Sequence, residues 1–428
     1  MSSKKLRQKE FSILFISLLA VVSIFSGLNY VFQSGNYDDR VIKKTQKFKT
    51  AYYNNSANPI YIDGNAGGVG AHNWTWAADQ PWCSGSGTWV DPYIIANIAI
   101  DGQNLNSCIR IEYSDVFFQI ENSTFYNSSR GYFPSYKAGI ELKSVTNGFI
   151  HNSTFSANNG FGISLWNCEN NTIINNKMIE DDIWTQGADL NYILENKFFS
   201  VDHGISLDHG STYNVIARNW FFDCNDGIDL TDDNNEIVNN TFSNCEIGII
   251  GYNANNNTIS NNTILNGNSM GISFQSSSNN TIIYNKVING TFSFAVRCFD
   301  FSDFNNISFN IITNNSAKYE SGCHGIHIGS GQNNTIYNNT INYNEGYGIN
   351  LIESNYTIVL NNLLIENVEG CINEVNCIGT VINNNICIEL PGNGDGEEPL
   401  IFGYDIFILL GLVSIISLIV VKKIKKAK

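Results

Sequence analysis

Charge is scarce in this chain. Only 15% of its 428 residues are Asp, Glu, Lys or Arg, and 39 acids outnumber 24 bases. The bases also gather at the ends. Residues 1–10 carry +3 and the tail from Lys422 carries +5, so with a net charge of −15 the stretch between them carries −23. Such a stretch repels nucleic acid and other polyanions. It suits cations, neutral glycans or a saline medium. Low charge with abundant Asn is also found in disordered chains. Regular Ile, Leu and Phe positions exclude disorder here, because they supply the apolar surface a disordered chain lacks. The long Leu-x-x-Leu-x-Leu frame and helical return of a leucine-rich repeat are missing too.

What is present is a repeat. In Gly331-Gln332-Asn333-Asn334-Thr335-Ile336-Tyr337-Asn338-Asn339-Thr340-Ile341, an apolar residue stands three before Asn339 and another two after it. The same frame falls on Asn176, Asn196, Asn219, Asn240, Asn262, Asn285, Asn310, Asn361 and Asn384, and on Ser123 and Ser153 with serine substituted. The twelve positions recur about every 24 residues, a solenoid period. Most repeats also hold a glycine strand, such as Gly204-Ile205, Gly227-Ile228, Gly271-Ile272 or Gly348-Ile349. Three short strands per turn, each with about two inward residues, predict an all-β parallel β-helix of about 12 turns. Asn tolerates the left-handed conformation of a tight corner. Stacked Asn amides can also bond along the rod, so the Asn column is expected to be structural.

Two apolar runs flank the repeats. Phe11 to Phe32 has no charge and follows Lys4, Lys5, Arg7 and Lys9; Ile406 to Val421 precedes five lysines. Each is close to the length that crosses ~30 Å of hydrocarbon, and basic flanks stay inside. The expectation is a cell-membrane protein with both basic tails cytoplasmic and the repeats outside. Residues 1–33 are a signal peptide or an N-terminal anchor. Residues 34–59 read as a linker, 60–93 as an aromatic cap, 94–390 as the solenoid, 391–400 as a stalk, 401–421 as a transmembrane helix and 422–428 as a cytoplasmic tail. Trp74, Trp76, Trp82 and Trp89 lie in the cap segment. They close an open solenoid end, or else stack on sugars.

Ten cysteines in an exported domain favour disulfides. Cys224 and Cys245 hold equivalent places in consecutive turns, within disulfide reach at a ~4.8 Å stacking distance. Cys298 with Cys323, and Cys83 with Cys108, are further candidates. Asn-x-Ser/Thr sequons, among them Asn122, Asn152 and Asn256, follow from the repeat itself.

The Asn-Asn-Thr-Ile-x-x-Asn repeats and Gly-Ile-x-Leu strands resemble the right-handed parallel β-helix superfamily, the pectate-lyase-like fold, and within it the Asn-rich NosD-type members. The resemblance spans residues 94–388, and the overall plan is similar to surface-anchored archaeal proteins. It implies a right-handed winding, and the NosD likeness implies copper. Copper favours His and Met; this chain has three Met and six scattered His. His324 and His327, three apart on a strand, are expected on opposite faces.

In this fold, chemistry sits on the outer face of stacked strands. The dense cluster is Asp181, Asp182, Asp189, Asp202, His203, Asp208, His209, Asp226, Asp229, Asp232 and Asp233. Aligning Gly204 with Gly227 sets His203 beside Asp226, Ser206 beside Asp229 and His209 beside Asp232, so paired acid and base groups are possible. The catalytic candidates are Asp202, His203, Asp208, Asp226 and Asp229. Trp166, Trp184 and Trp220 are candidates for a sugar platform. Asp229, Asp232 and Asp233 are candidates for Ca²⁺, which takes Asp oxygens from loops. Insertions at Tyr126–Lys137 and Asn314–Gly322 are placed to wall a groove. Asn225-Asp226-Gly227-Ile228-Asp229 is similar to the Asn-Thr-Asp-Gly motif of polygalacturonase-type hydrolases. That family's next-turn Asp pair is replaced by Glu246-Ile247-Gly248-Ile249, and Asp202-His203-Gly204 precedes the motif where a Gly-His-Gly should follow. Lyases of the fold need Ca²⁺ and a Lys or Arg base, here Lys177, Lys197 or Arg218.

The expectation is a membrane-anchored β-helix that binds glycans or surface proteins without catalysis, with no cofactor unless Ca²⁺. The rival is a polysaccharide hydrolase or lyase working through the Asp/His cluster. The sequence leaves the oligomeric state open.

Overall fold

The computed structural model describes residues 53–54, 59–132, 135–317 and 322–389. The two apolar runs, the stalk, the basic tails and most of the linker lie outside them. No helix among the described residues is long and apolar enough to cross a membrane.

The described chain winds into three long sheets of 13, 14 and 14 strands. Each coil contributes one long strand to the first sheet and one short strand to each of the other two. A representative coil runs Phe161–Trp166, Thr172–Ile174, Lys177–Ile179. Pairing between coils is parallel, as in Ile173↔Ile193 and Ile193↔Ile216; an antiparallel exception is Cys83–Ser84 against Tyr93–Ala96. Alternation of side chains along each strand sends one set inward. Because register repeats, like stacks on like. Ile173, Ile193, Ile216, Ile237 and Ile259 form one fully buried column. Phe198, Phe221 and Phe242 form another, with near-parallel rings 4.6 and 4.7 Å apart.

The winding starts before the boundary drawn at residue 94. Tyr53–Asn54 pairs with Ile98–Ala99, and Ile60–Asp63 with Ile109–Glu112. Between them a short helix, Trp74–Ala78, is capped by the Asn73 side chain accepting from the Trp76 N–H at 2.8 Å. Trp74 and Trp82 are buried in the core cluster, and Trp74 stacks on Tyr93 at 4.8 Å. Trp89 is 69% exposed.

Corner and ladder turn out to be separate residues. The left-handed position is the one before the framed Asn: Asn175, Arg218, Tyr284 and Phe309 have φ of 57°, 57°, 58° and 58°. The framed Asn itself points inward and is buried, Asn196 at 0% and Asn262 at 0%. Asn262 Nδ2 donates to the Ile237 carbonyl (2.9 Å) and to Asn285 Oδ1 (3.0 Å), while its Oδ1 accepts the Asn240 N–H at 2.9 Å. The same pattern shifts the frame by one at its end. Asn362 and Asn385 continue the ladder from Asn339, whereas Asn361 and Asn384 are left-handed corner residues. A second ladder runs through Asn171, Asn191, Asn214 and Asn235, and a third through Asn315, Asn344 and Asn367.

The cysteines also differ from expectation. Cys83, Cys108, Cys224, Cys245, Cys298 and Cys323 are buried thiols, and the disulfide is Cys371–Cys387 within the last coil. Cys298 registers with Ile328, inside a strand, whereas Cys323 precedes one, so these two do not stack. Cys224 and Cys245 do occupy successive coils, since Glu246 N–H bonds to the Cys224 carbonyl at 2.7 Å.

Replacing Asn262 by Val leaves the Asn240 N–H buried without a partner and removes the side-chain bond to the Ile237 carbonyl, which keeps its place in the strand ladder. An orphaned buried group costs roughly 1–3 kcal/mol, so a loss of that size in denaturant midpoint experiments is expected. An unchanged midpoint would remove the ladder from the stabilising terms.

Candidate functional site

The glycine strands set up the outer face. A Cβ on Gly204 would lie 2.6 Å from the Phe221 ring, and one on Gly227 2.4 Å from Phe242, so both glycines face inward. The isoleucines that follow, Ile205 and Ile228, are buried at 0% as well. Two inward residues in succession break the alternation, and residues three apart then share the outer face. His203 and Ser206 both face out, as do Asp226 and Asp229. The same break puts His324 and His327 on one face, with rings 6.2 Å apart, not on opposite ones.

Register then builds columns along the rod. Ser164, Trp184, Ser206, Asp229, Ile250, Ser273, Arg297, His327 and Asn350 fall on one line. Beside it run Lys143, Trp166, Gln186 and Asp208 on one side. His203, Asp226, Ile247, Met270 and Phe294 run on the other.

The acidic cluster divides on this face. Asp208, Asp226 and Asp229 gather with His203. His203 Nδ1 lies 3.2 Å from Asp226 Oδ2. That pairing outweighs desolvation and holds the imidazole up to about 9, so His203 is a cation at neutral pH and not a free base. Asp229 Oδ1 is buried without a hydrogen-bond partner. Burial, with Asp208 and Asp226 close by, pushes the Asp229 carboxyl up to about 6. Asp208 accepts from Trp184 Nε1 at 2.8 Å and from Thr231 Oγ1 at 3.2 Å. Asp182, at the head of the preceding coil, is pushed by burial and Asp181 up to about 7.

Other members of the cluster serve the frame. Asp181 bonds the Asn158 N–H at 2.9 Å inside the rod. Asp189 caps Thr212, Asp232 accepts the Gly210 and Ser211 N–H groups, and Asp233 accepts the Asn255 N–H. Asp202 is 77% exposed and bonds Asn225. Asp229, Asp232 and Asp233 do not converge: among the described residues, the His, Cys, Asp or Glu ligand atoms that close to within 4.8 Å in a group of three are those of Cys371, Cys387 and Glu389. The two cysteines of that group are joined as a disulfide.

The aromatic candidates split likewise. Trp184 lies parallel to Phe161 at 5.0 Å and edge-on to Trp166 at 6.2 Å, next to the acids. Trp220 belongs to a different sheet, where it registers with Lys197 and stacks on Phe222. Lys177 and Lys197 are in register on that sheet and line a shallow cavity of about 290 Å³ with Asn152 and Phe199. Arg218 is paired with Glu195 at 2.9 Å. The insertions contribute a hairpin, Gly131–Tyr132 with Ser135–Tyr136, and a strand pair, Thr291–Phe292 with Ser316–Ala317. Sequence reasoning missed Arg297, Phe294 and Phe299, which continue the same face. Their signal was register, Arg297 with Asp229 and Phe294 with Asp226, not local composition.

A family described as right handed beta helix region matches residues 83–234, which agrees with the parallel three-sheet winding. Over those residues the chain is similar to that family, and the described rod has the parallel β-helix fold. A second family, described as periplasmic copper-binding protein (NosD), matches residues 177–322 of the β-helix. No curated protein matches. Among solved structures, the β-helix is similar to the periplasmic alginate epimerase AlgG at 15% identity over 64% of this chain and 63% of that one, with a TM-score of 0.41. It is similar to an alginate lyase in complex with a trisaccharide at 14% identity, over 76% of this chain and 85% of that one, with a TM-score of 0.43. A third is the catalytic domain of an alpha-1,3-glucanase in complex with nigerose, at 15% identity over 71% and 60%, TM-score 0.43. At these levels the likenesses transfer no activity.

The NosD description implies copper, and the residues do not fit it. Among the described residues of 177–322, no three His, Cys, Asp or Glu ligand atoms converge. Met178 is fully buried in the core. His203 is held by Asp226, and His209 follows the far end of the same strand.

Two titrations test the cluster. A raised His contributes stability below its ordinary value of 6.5 and loses it as pH rises through about 9. The midpoint gap between wild type and His203→Gln should therefore be widest near pH 6 and close by pH 10. A raised carboxyl acts in the other sense: the folded state favours the protonated form, so stability falls as pH climbs from 3.8 through about 6. Asp229→Asn should gain on wild type across that window and hold a constant difference above pH 7. Parallel pH profiles for all three proteins would contradict both assignments.

Proposed function

We propose that the outer face of the long-strand sheet binds a glycan, with the sugar rings resting on Trp166 and Phe161 and their hydroxyls meeting Asp208, Asp226 and Asp229. The observation that carries this is the group formed by Phe161, Trp166 and Trp184. Trp184 is buried at 8% exposure and ties the half-buried Phe161, stacked on it at 5.0 Å, and Trp166, edge-on at 6.2 Å, to the Asp208 carboxylate through its indole hydrogen bond. Aromatic planes with polar groups at their rim recognise molecules that are apolar on one face and wet at the edge. The reading includes a binding role without turnover. It also places the rod outside a cell membrane, held by the flanking apolar segments with both basic tails inside. Protease treatment of intact cells that spares the rod would overturn that placement.

A second reading has one observation in its favour. Asp229 is a carboxyl pushed up by burial, with a buried oxygen lacking a partner, and Asp208 and Asp226 lie close by. A raised carboxyl beside other carboxylates is suited to a general acid role. In that case the face hydrolyses its glycan, with Asp229 as the acid and Asp208 or Asp226 as the base.

Binding of a panel of neutral and uronate-containing oligosaccharides to the purified full chain separates these readings. Trp166→Ala should weaken the bound oligosaccharide by about 1–2 kcal/mol, the worth of a stacked ring, at unchanged thermal midpoint. If no oligosaccharide binds, the proposal is wrong. Release of reducing ends that disappears in the Asp226→Ala, Asp229→Ala double variant establishes hydrolysis. Binding without release establishes the non-catalytic reading.

A further inference from the structure

Three coils beyond Asp229 on the same face, about 14 Å along the rod at ~4.8 Å per coil, stands Arg297. Arg110 and Arg218 hold carboxylates, the first with Glu112 and Glu141 and the second with Glu195. Arg297 holds none among the described residues. Its guanidinium carbon lies 3.4 Å from the centre of the Phe299 ring and 4.7 Å from that of Phe294. The two rings fix the planar group in place, and its Nε is buried without a hydrogen-bond partner. Asp300 is near enough to act through space, yet it accepts from Gln275 Nε2 at 2.9 Å instead.

The next coil supplies a second donor. His327 registers with Arg297 and is 7% exposed. Asn350 Nδ2 lies 3.2 Å from His327 Nδ1. An amide NH₂ donates, so Nδ1 accepts, and the proton of the neutral ring sits on Nε2. The neighbouring column leaves a gap beside that Nε2. Gly329 stands between Phe299 and Ile352 in register, and a Cβ there would lie 3.0 Å from His327 Nε2. His327 Nε2 thus borders a notch where a side chain is missing, Arg297 stands one coil back on the same line, and no carboxylate among the described residues pairs with either.

We infer that this notch is an anion site, and that it binds the carboxylate or sulfate of a sugar lying along the face. The sugar identity rests on the glycan reading above; the anion does not. A planar guanidinium with oriented N–H groups is the side chain suited to oxyanions. The strongly negative rod disfavours polyanions, so the ligand is a glycan with isolated acidic sugars among neutral ones.

The test has two arms on the purified full chain. In the first, phenylglyoxal labels arginines in the presence of glucuronate, glucose 6-sulfate or glucose, and mass spectrometry reads Arg297. Protection by glucuronate or by the sulfate, but not by glucose, supports the site and says which anion it takes. Equal labelling in all three overturns it. The second arm titrates an oligosaccharide of alternating uronate and neutral sugars against its carboxyl-reduced counterpart. A charge-assisted hydrogen bond supports a preference of about tenfold or more for the charged form. That preference should vanish in Arg297→Gln and in Gly329→Val, whose side chain fills the notch at a backbone geometry other residues adopt. Equal affinity for both oligomers leaves the glycan reading intact and removes the anion site. Protection of Arg297 without binding of either oligomer keeps the anion site and removes the glycan reading.

Discussion

A buried amide without a partner costs about 1–3 kcal/mol, and this rod buries an Asn at successive corners. The cost is avoided only if each coil sits over the last in one register, so that Oδ1 of one Asn meets the N–H of its neighbour below. Asn176, Asn196, Asn219, Asn240 and Asn262 each meet that condition. Hydrophobic stacking alone is less exacting, since Ile over Val or Phe over Met serves nearly as well. The ladders therefore fix which residue lies over which, and the outer face inherits that alignment. His203 faces Asp226, and Arg297 faces His327, because Asn residues on the far side of the wall admit no slip.

Much of the frame was legible because it is periodic. Ile336 and Asn339 carry the same information as Ile282 and Asn285, and a dozen copies average out local noise. The register of Gly204 with Gly227 could be read the same way, and with it the neighbours of Asp226 and Asp229. Errors arose where one residue was asked to serve two purposes. The corner and the ladder were merged into a single Asn, although Arg218 and Phe309 occupy the corner without difficulty. Asn-Asn pairs near the end of the rod then offered two equally good frames, and only hydrogen bonding separates Asn361 from Asn362.

The site was less legible because it is built across coils. Trp166, Trp184 and Trp220 are neighbours in the chain, yet Trp220 belongs to another sheet. Asp181 and Asp182 are adjacent letters, one turned into the core ladder and the other towards the outer face. His324 and His327 should alternate on a regular strand, but the inward Gly325 puts both outside. Arg297 carries no motif at all. Its meaning comes from Phe294 and Phe299 on its own strand and from Gly329 one coil on, the last being the absence of a side chain.

The ladders also set the unit in which such a molecule can change length. A coil contributes at most one rung to a ladder, so inserting or removing a whole coil leaves the remaining rungs of the main ladder with partners. A few residues added within a strand would instead misalign all three walls at once. Extra residues are tolerated at corners, as in the hairpin at Gly131–Tyr136 and the strand pair reaching Ser316–Ala317. Growth along the axis is thus quantised at about 24 residues, while growth sideways is continuous. A rod of this kind can alter its reach without touching its binding face, and alter its face without touching its reach.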